Sequence, residues 1–444
     1  MIAKKMKLAF IIAILFVSCY FAAVYVNENV NKFSILLKIS SVKPERQSTK
    51  DPSRVLTVSD KYSDCLKIIN GSMKNVQAVT KSTGFKHKES HLLEKDYIKL
   101  CRDCISFINT RGYITSPLSN EERDFPIAYS IVIHHKIEMF ERLLRAIYMP
   151  QNVYCVHIDR KSPQLFHSAV VAIISCFDNV FVASKLEHVT YASWFRVQAD
   201  LNCMGDLVRS KNPWKYFVNL CGQDLPIQTN REIIKKLISA KGQNIITSSP
   251  PSVTKQTRWK YRYLINDTVV RKSQLKQKQK NINIFVGNAY FIATRDFVDY
   301  VLKSSEIKQF FKWSEDTYSP DEHVWATIHR MPGVPGSEHI WDTNRSLSVP
   351  VFSHLITWKS QQTNSEHGRQ GHPCAGEYRH YNCVYGAGDL PWILQHRHHL
   401  FANKFDSEMD NTAVQCIEEH LRWKILSRNS SLKPYSADKC CSAH

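Results

Sequence analysis

The stretch IAYSIVIHH (127–135), IEMFERLLRAIY (137–148) and NVYCVHID (152–159) decides the fold. Its first part is a short apolar run that ends in His134 and His135. The second puts Ile137, Phe140, Leu144 and Ile147 on one helical face, and the third is again apolar and ends at Asp159. The alternation continues C-terminally. Ser162 and Pro163 open a helix through Ser175, NVFVAS (179–184) reads as a strand, a helix runs near Phe195 to Arg209, WKYFVNLCG (214–222) is a strand, and a helix starts from Thr229. Strands alternating with helices predict an α/β fold with a largely parallel central sheet flanked by helices, and ligands at the carboxyl ends of strands where strand order reverses. Neither GxGxxG nor a Walker loop is present, so side chains or a metal must hold any phosphates.

Outside this core, 444 residues with 43% hydrophobic and 22% charged residues, Gly 14 and Pro 17, exclude collagen, low-complexity chains and tiny disulfide scaffolds. Lys plus Arg (59) against Asp plus Glu (40) gives +19, which suits an anionic partner. Residues 8–26, LAFIIAILFVSCYFAAVYV, carry no charge and follow Lys4, Lys5 and Lys7. At about 1.5 Å per residue they span a bilayer core of roughly 30 Å, and the run exceeds the usual apolar region of a cleaved signal peptide. The expectation is a type II signal anchor: a cytosolic tail at 1–7, the span at 8–26, a polar luminal stem at 27–60 and a compact part at 61–444. That part divides into a nucleotide-binding half at about 126–240 and a second half at about 241–425. Thirteen cysteines, without a zinc-type double CxxC, fit disulfides in an oxidising lumen. Asn70, Asn266, Asn344 and Asn429 open glycosylation triplets. Anchor and triplets together argue against a nucleic-acid role. KSQLKQKQK (272–280) reads as a solvated loop.

Several residues are candidates for chemistry. Asp159, ending a strand and followed by Arg160 and Lys161, suits a nucleobase or ribose with phosphate beside it, and reads equally as a turn aspartate. In EDTYSPDEHVWATIHR (315–330), Ser319, Pro320, Asp321 and Glu322 form an N-cap, an N1 proline and an acidic first turn. Functionally, Glu322 becomes a general base, with His323 and Trp325 adding polar and stacking surface. No D-x-D metal element occurs. A departing pyrophosphate then needs fixed cations, and Lys404 in FANKFD (401–406), after the turn-like YGAGDL (385–390), is the candidate.

DFPIAYSIVIHHKIEMFERLLRAIYMPQNVYCVHID, DNVFVASKLEHVTYASWFRVQADLNCM, NLCGQDLPIQTN, DTYSPDEHVWATI, YGAGDL and HHLFANKFD together resemble the β-1,6-N-acetylglucosaminyltransferase family of mucin core 2 and I-branching enzymes, over about residues 100–425. The resemblance implies a metal-independent, inverting, GT-A-like Golgi transferase that uses UDP-GlcNAc as donor and no cofactor. Glu322 would be the base. Val132, Ile133, His134, Asp159, Arg160, Lys161 and Tyr191 would line the uridine and ribose site, and Lys404 the diphosphate, with Arg379 or His380 as second cation. Thr247, Lys255, Arg258, Trp358 and Ser360 fall at acceptor positions. Thr247, Ser360 and His380 depart from the core 2 pattern. They leave an I-branching acceptor, or a catalytically weak UDP- or glycan-binding protein, as alternatives to branching of Galβ1-3GalNAc on O-glycoproteins. The family's pairing implies Cys65–Cys416, Cys104–Cys176, Cys155–Cys203 and Cys374–Cys383, with Cys221 free. Cys101, Cys440 and Cys441 have no counterpart, Cys19 lies in the anchor, and Cys440 or Cys441 could link two chains into a homodimer.

Overall fold

β1 (Ile127–Ile133) is buried along its whole length, and so is β2 (Val153–Ile158). Both therefore read as apolar runs without alternation, as strands covered on two faces do. Between them lies α1 (Ile137–Ile147); α2 (Gln164–Ile174), β3 (Val180–Val182), α3 (Trp194–Arg209), β4 (Tyr216–Cys221), β5 (Asp224–Pro226) and α4 (Asn230–Ser239) follow. Each of these elements except β5 lies where the sequence predicts it. Thr229 opens α4 with a reciprocal capping box to Glu232, and the Ser193 hydroxyl caps α3. The computed structural model describes residues 62–71, 91–279, 282–337, 352–359, 372–396 and 398–429. The expected tail, anchor and stem (1–60), Ser360, Cys19, Cys440 and Cys441 lie outside them. Among the described residues no helix is long and apolar enough to cross a membrane.

The central sheet has the order β3-β2-β1-β4-β8, where β8 (Ile292–Thr294) runs antiparallel to β4 and the other four strands are parallel. Strand order reverses between β1 and β4, which puts the ligand-binding edge at the carboxyl ends of β1, β2 and β4. One face of the sheet (Ile127, Tyr129, Ile131, Ile133) packs on Phe140 and Leu144 of α1, Ile173 of α2 and Ile234 of α4. The other (Ala128, Cys155, Phe217) packs on Val197 and Leu201 of α3 and on Trp325. Each such large side chain contributes about 1.5–3 kcal/mol by burial.

A second layer has short strands that the sequence does not announce. β9 (His354–Ile356) and β12 (Phe401–Asn403) join β5 in the order β5-β12-β9. This sheet packs against the helix Tyr62–Asn70 and α8 (Ser407–Asn429) through Cys65, Leu225, Phe405 and Ile417. Two hairpins complete the fold: β6 (Tyr261–Ile265) with β7 (Val269–Leu275), and β10 (Glu377–Arg379) with β11 (Asn382–Val384). The expected loop at 272–280 is thus strand as far as Leu275, and its Lys276 side chain is buried against Asp316.

All four expected disulfides are present. Cys65–Cys416 joins the first described helix to α8 across 351 residues. Cys101 and Cys221 are unpaired among the described residues. Behind the sheet, fully buried Glu141 of α1 accepts from Arg111 Nε (3.1 Å), Arg145 Nε (3.2 Å), Tyr113 Oη (3.2 Å) and Tyr97 Oη (3.3 Å). Burial alone would raise its pKa, but Arg145 and Arg111 outweigh that and hold it at about 2.

Candidate active site

At the strand ends, Val132 and Ile133 are buried in β1, and His134 emerges from it. Buried Asp159 follows β2; its backbone N–H donates to the Ile133 carbonyl at 2.8 Å. Its Oδ1 accepts from Lys161 N (3.0 Å) and Val189 N (3.4 Å), and Lys161 Nζ lies 3.4 Å from Oδ2. Asp159 is therefore a turn aspartate by geometry, as the sequence allowed, and one that fixes Arg160 and Lys161 at the cleft rim. Loss of hydration lowers the His134 pKa; Asp159 opposes, while Lys161 and Lys404 add to the lowering. These four groups are thus within electrostatic reach of one another.

Lys404 follows β12. Its backbone is held by Cys383 and Tyr385, and no carboxylate among the described residues pairs with its ammonium group. The preceding Asn403 is buried: it donates to Asp224 Oδ1 (2.7 Å) and to the Cys221 thiol (3.3 Å), and accepts from Asn382 Nδ2 (2.9 Å). Asn403, Asp224 and Asn382 escaped the sequence reading. The signal was weak, an amide directly before a candidate cation and a lone acid in LCGQDLP.

His380 and Tyr381 form the turn of the β10–β11 hairpin, with φ of 51° and 65°. The His380 ring stacks on Tyr191 with centroids 5.6 Å apart. The neighbouring Arg379 is already engaged by Asp406 and Glu377. Trp358 forms a backbone bridge to Asn382 and so stands beside this hairpin.

Glu322 ends a three-residue 3-10 turn, Pro320–Glu322, that leads into α7 (Val324–Ile328). The expected N-cap is absent: Ser319 has φ 44°, makes no side-chain cap bond, and donates its N–H to the Ala192 carbonyl (2.8 Å), beside Tyr191. Ala192 too has positive φ (60°). Non-glycine residues in this region are uncommon and cluster where function constrains the backbone. α5 (Val253–Lys260) sends Arg258 to Glu322 Oε2 at 2.5 Å and Lys255 Nζ to 3.8 Å. The Glu322 carbonyl accepts from Gly287 N (2.7 Å). A Cβ at Gly287 would lie 2.0 Å from the Thr247 carbonyl oxygen, so only glycine lets Thr247 approach the Glu322 turn. The structure thus gathers Lys255 and Arg258 at Glu322, with the Thr247 backbone behind its turn, in one group, and Asp159, Lys161, His134 and Lys404 in another. Tyr191 stands between: its ring meets His380, and after loss of hydration it is Tyr318, Asp321 and Glu322 that raise its pKa.

Two expectations in this segment change. His323 and Trp325 offer no surface; both are fully buried, His323 against Trp259 and Trp325 against Phe291. Asp321, read only as a first-turn acid, is half-buried, with Oδ1 shielded from solvent and unpartnered among the described residues. Burial first, then Glu322, raises its pKa to about 6 against the pull of Arg196 and Arg258. As for metals, the cluster Cys374, Cys383 and Asp389 has ligand spacing, but its two sulfurs are bonded to each other.

Residues 127–394 match the Core-2/I-Branching enzyme family. The chain is 50% identical over 365 residues to the β-1,3-galactosyl-O-glycosyl-glycoprotein β-1,6-N-acetylglucosaminyltransferase of bovine herpesvirus 4 (strain DN-599), covering 82% of this chain and 83% of that protein. With the same coverage it is 48% identical to the transferases bearing that name with the suffix 3 from Rattus norvegicus, over 365 residues, and Homo sapiens, over 366.

Proposed function

The chain belongs to the Core-2/I-Branching enzyme family, and we propose that it is a GT-A-like, inverting β-1,6-N-acetylglucosaminyltransferase that moves GlcNAc from UDP-GlcNAc to the GalNAc 6-hydroxyl of Galβ1-3GalNAc on O-glycoproteins. The observation that carries this reading is a pair of residue groups joined by Tyr191: a carboxylate with its basic partners, and an unmatched lysine beside the strand ends. Glu322 takes the proton of the acceptor hydroxyl as its oxygen bonds to C1 of the donor sugar. The C1–O bond to the diphosphate breaks, and UDP leaves with the electron pair. Attack opposite the leaving group inverts C1. Arg258 holds Glu322 aimed before the acceptor arrives. Lys404, fixed by the Asn403 network, receives the diphosphate charge as a preorganised cation. His380 is free to join it, whereas Arg379 is already matched by two carboxylates. Tyr191, stacked on His380, covers the join between donor and acceptor.

The same reading makes 8–26 a type II Golgi anchor with the catalytic part in the lumen, in keeping with the disulfides. The test is transfer from UDP-GlcNAc to Galβ1-3GalNAc-O-benzyl with excess EDTA. A β-1,6-branched product is expected. Preference for poly-N-acetyllactosamine would reassign the acceptor to the I type, and UDP binding without turnover would leave a luminal binding protein.

A further inference from the structure

α5 has two working faces. Lys255 and Arg258, three residues apart, point to Glu322. Gln256, Trp259 and Lys260, spaced i, i+3, i+4, line a separate cavity of about 770 Å³ on the helix's other side. Its far wall is Trp313 with the end of β7 and the segment beyond it. The Trp313 indole is held in place by donating to the Gln277 carbonyl (2.9 Å). Pro251, Ile282 and Ile284 supply an apolar floor. No Asp or Glu lines the cavity among the described residues. Of its three lysines, Lys276 is matched by Asp316, while Lys260 and Lys278 have no carboxylate partner among the described residues.

We propose that this groove binds an acidic stretch of the polypeptide that carries the acceptor glycan. The inference rests on the transferase reading above and extends it to the aglycone. One helix width separates the groove from the Glu322 wall, so a sugar chain at Glu322 leaves its polypeptide over α5. The chemistry favours polypeptide over an acidic sugar. Two indole faces and an apolar floor between separated cations suit alternating apolar and carboxylate side chains, whereas a hydroxyl-covered ring needs a denser set of polar partners than Gln256, Gln279 and Asn283 provide.

The test uses the full chain in detergent and three acceptors with one glycan: Galβ1-3GalNAc-O-benzyl, a glycopeptide flanked by Asp and Glu, and the same glycopeptide with Asn and Gln. The acidic glycopeptide should show a KM roughly fivefold below its amide counterpart at low salt, with kcat unchanged. The difference should vanish at high salt and in K260E/K278E, which should turn over the benzyl glycoside as the parent does. Calorimetry with the unglycosylated acidic peptide gives a readout independent of turnover: binding is expected in the parent and lost in K260E/K278E. Equal KM for the two glycopeptides with no peptide binding, or a preference surviving in K260E/K278E, would overturn the proposal. So would binding of a sialylated glycan in place of the peptide. Peptide binding without any transfer would instead sink the transferase reading and leave the groove standing.

Discussion

Two carboxylates with shielded oxygens, Glu141 behind the sheet and Asp321 next to Glu322, have opposite fates. Glu141 receives two guanidinium and two phenol groups and is held ionised at about 2. Asp321 is only half-buried as a residue, yet its Oδ1 is shielded from solvent without a partner among the described residues, and its pKa is pushed up to about 6. Burial therefore does not separate a structural acid from one at a site; the supply of donors does. Glu322, between Arg258 and solvent, stands between the extremes: paired, yet 28% exposed and open to an incoming hydroxyl.

The comparison breaks first at Glu322. Glu322→Gln should lower kcat by about 10²–10⁴-fold with UDP affinity unchanged by calorimetry; transfer at the parent rate would remove Glu322 as base. Next is Glu141→Gln, which strips the charge that Arg111 and Arg145 share. It should cost about 3–5 kcal/mol of stability, seen as a lower urea midpoint, while the folded fraction keeps its kcat. Lys404→Ala should reduce kcat/KM by about 10²–10³-fold, whereas Arg379→Ala should leave the donor KM within about fivefold. The reverse ranking would make Arg379 the diphosphate cation.

The smallest effect concerns Asp321 and pH. Its pKa is raised by folding, so its contribution is fully present below about pH 4 and is lost as pH rises through about 6. Thermal unfolding of Asp321→Asn should therefore fall less steeply over that window than that of the parent; parallel curves would mean that Asp321 is solvated after all.

What the sequence made legible follows from the same physics. The β1–α1–β2 unit and its successors were readable because strands covered on both faces are mostly apolar, with Ser130, His157 and Asn219 as buried exceptions, and Thr229 and Ser193 announce their helices. The three-residue strands β5, β9 and β12 were not, since pairing between residues 47 positions apart (β12 with β9) and 175 to 179 apart (β12 with β5) leaves no local period. At the site, Glu322 and Lys404 were candidates from local pattern, while Lys255 and Arg258 were reached through the family resemblance. Its local geometry was opaque: Ser319, His380 and Tyr381 take left-handed backbone without being Gly or Asn, so turn rules were silent. The shielding of the Asp321 carboxyl and the closeness of Gly287 to Thr247 are set by elements far away in the chain.

The link between Cys65 and Cys416 has a consequence in time. Cys65 is synthesised 351 residues before its partner, an interval on the order of 20–70 s at about 5–20 residues per second. Cys101 and Cys104 emerge within moments of it, and Cys104 must instead wait for Cys176. The first cysteine of the described fold thus belongs to the last of the four pairs to be completed. A chain that stops short of α8 leaves the ribosome with that thiol still open to thiol-exchange catalysts, an unfinished state marked at its beginning rather than at its end.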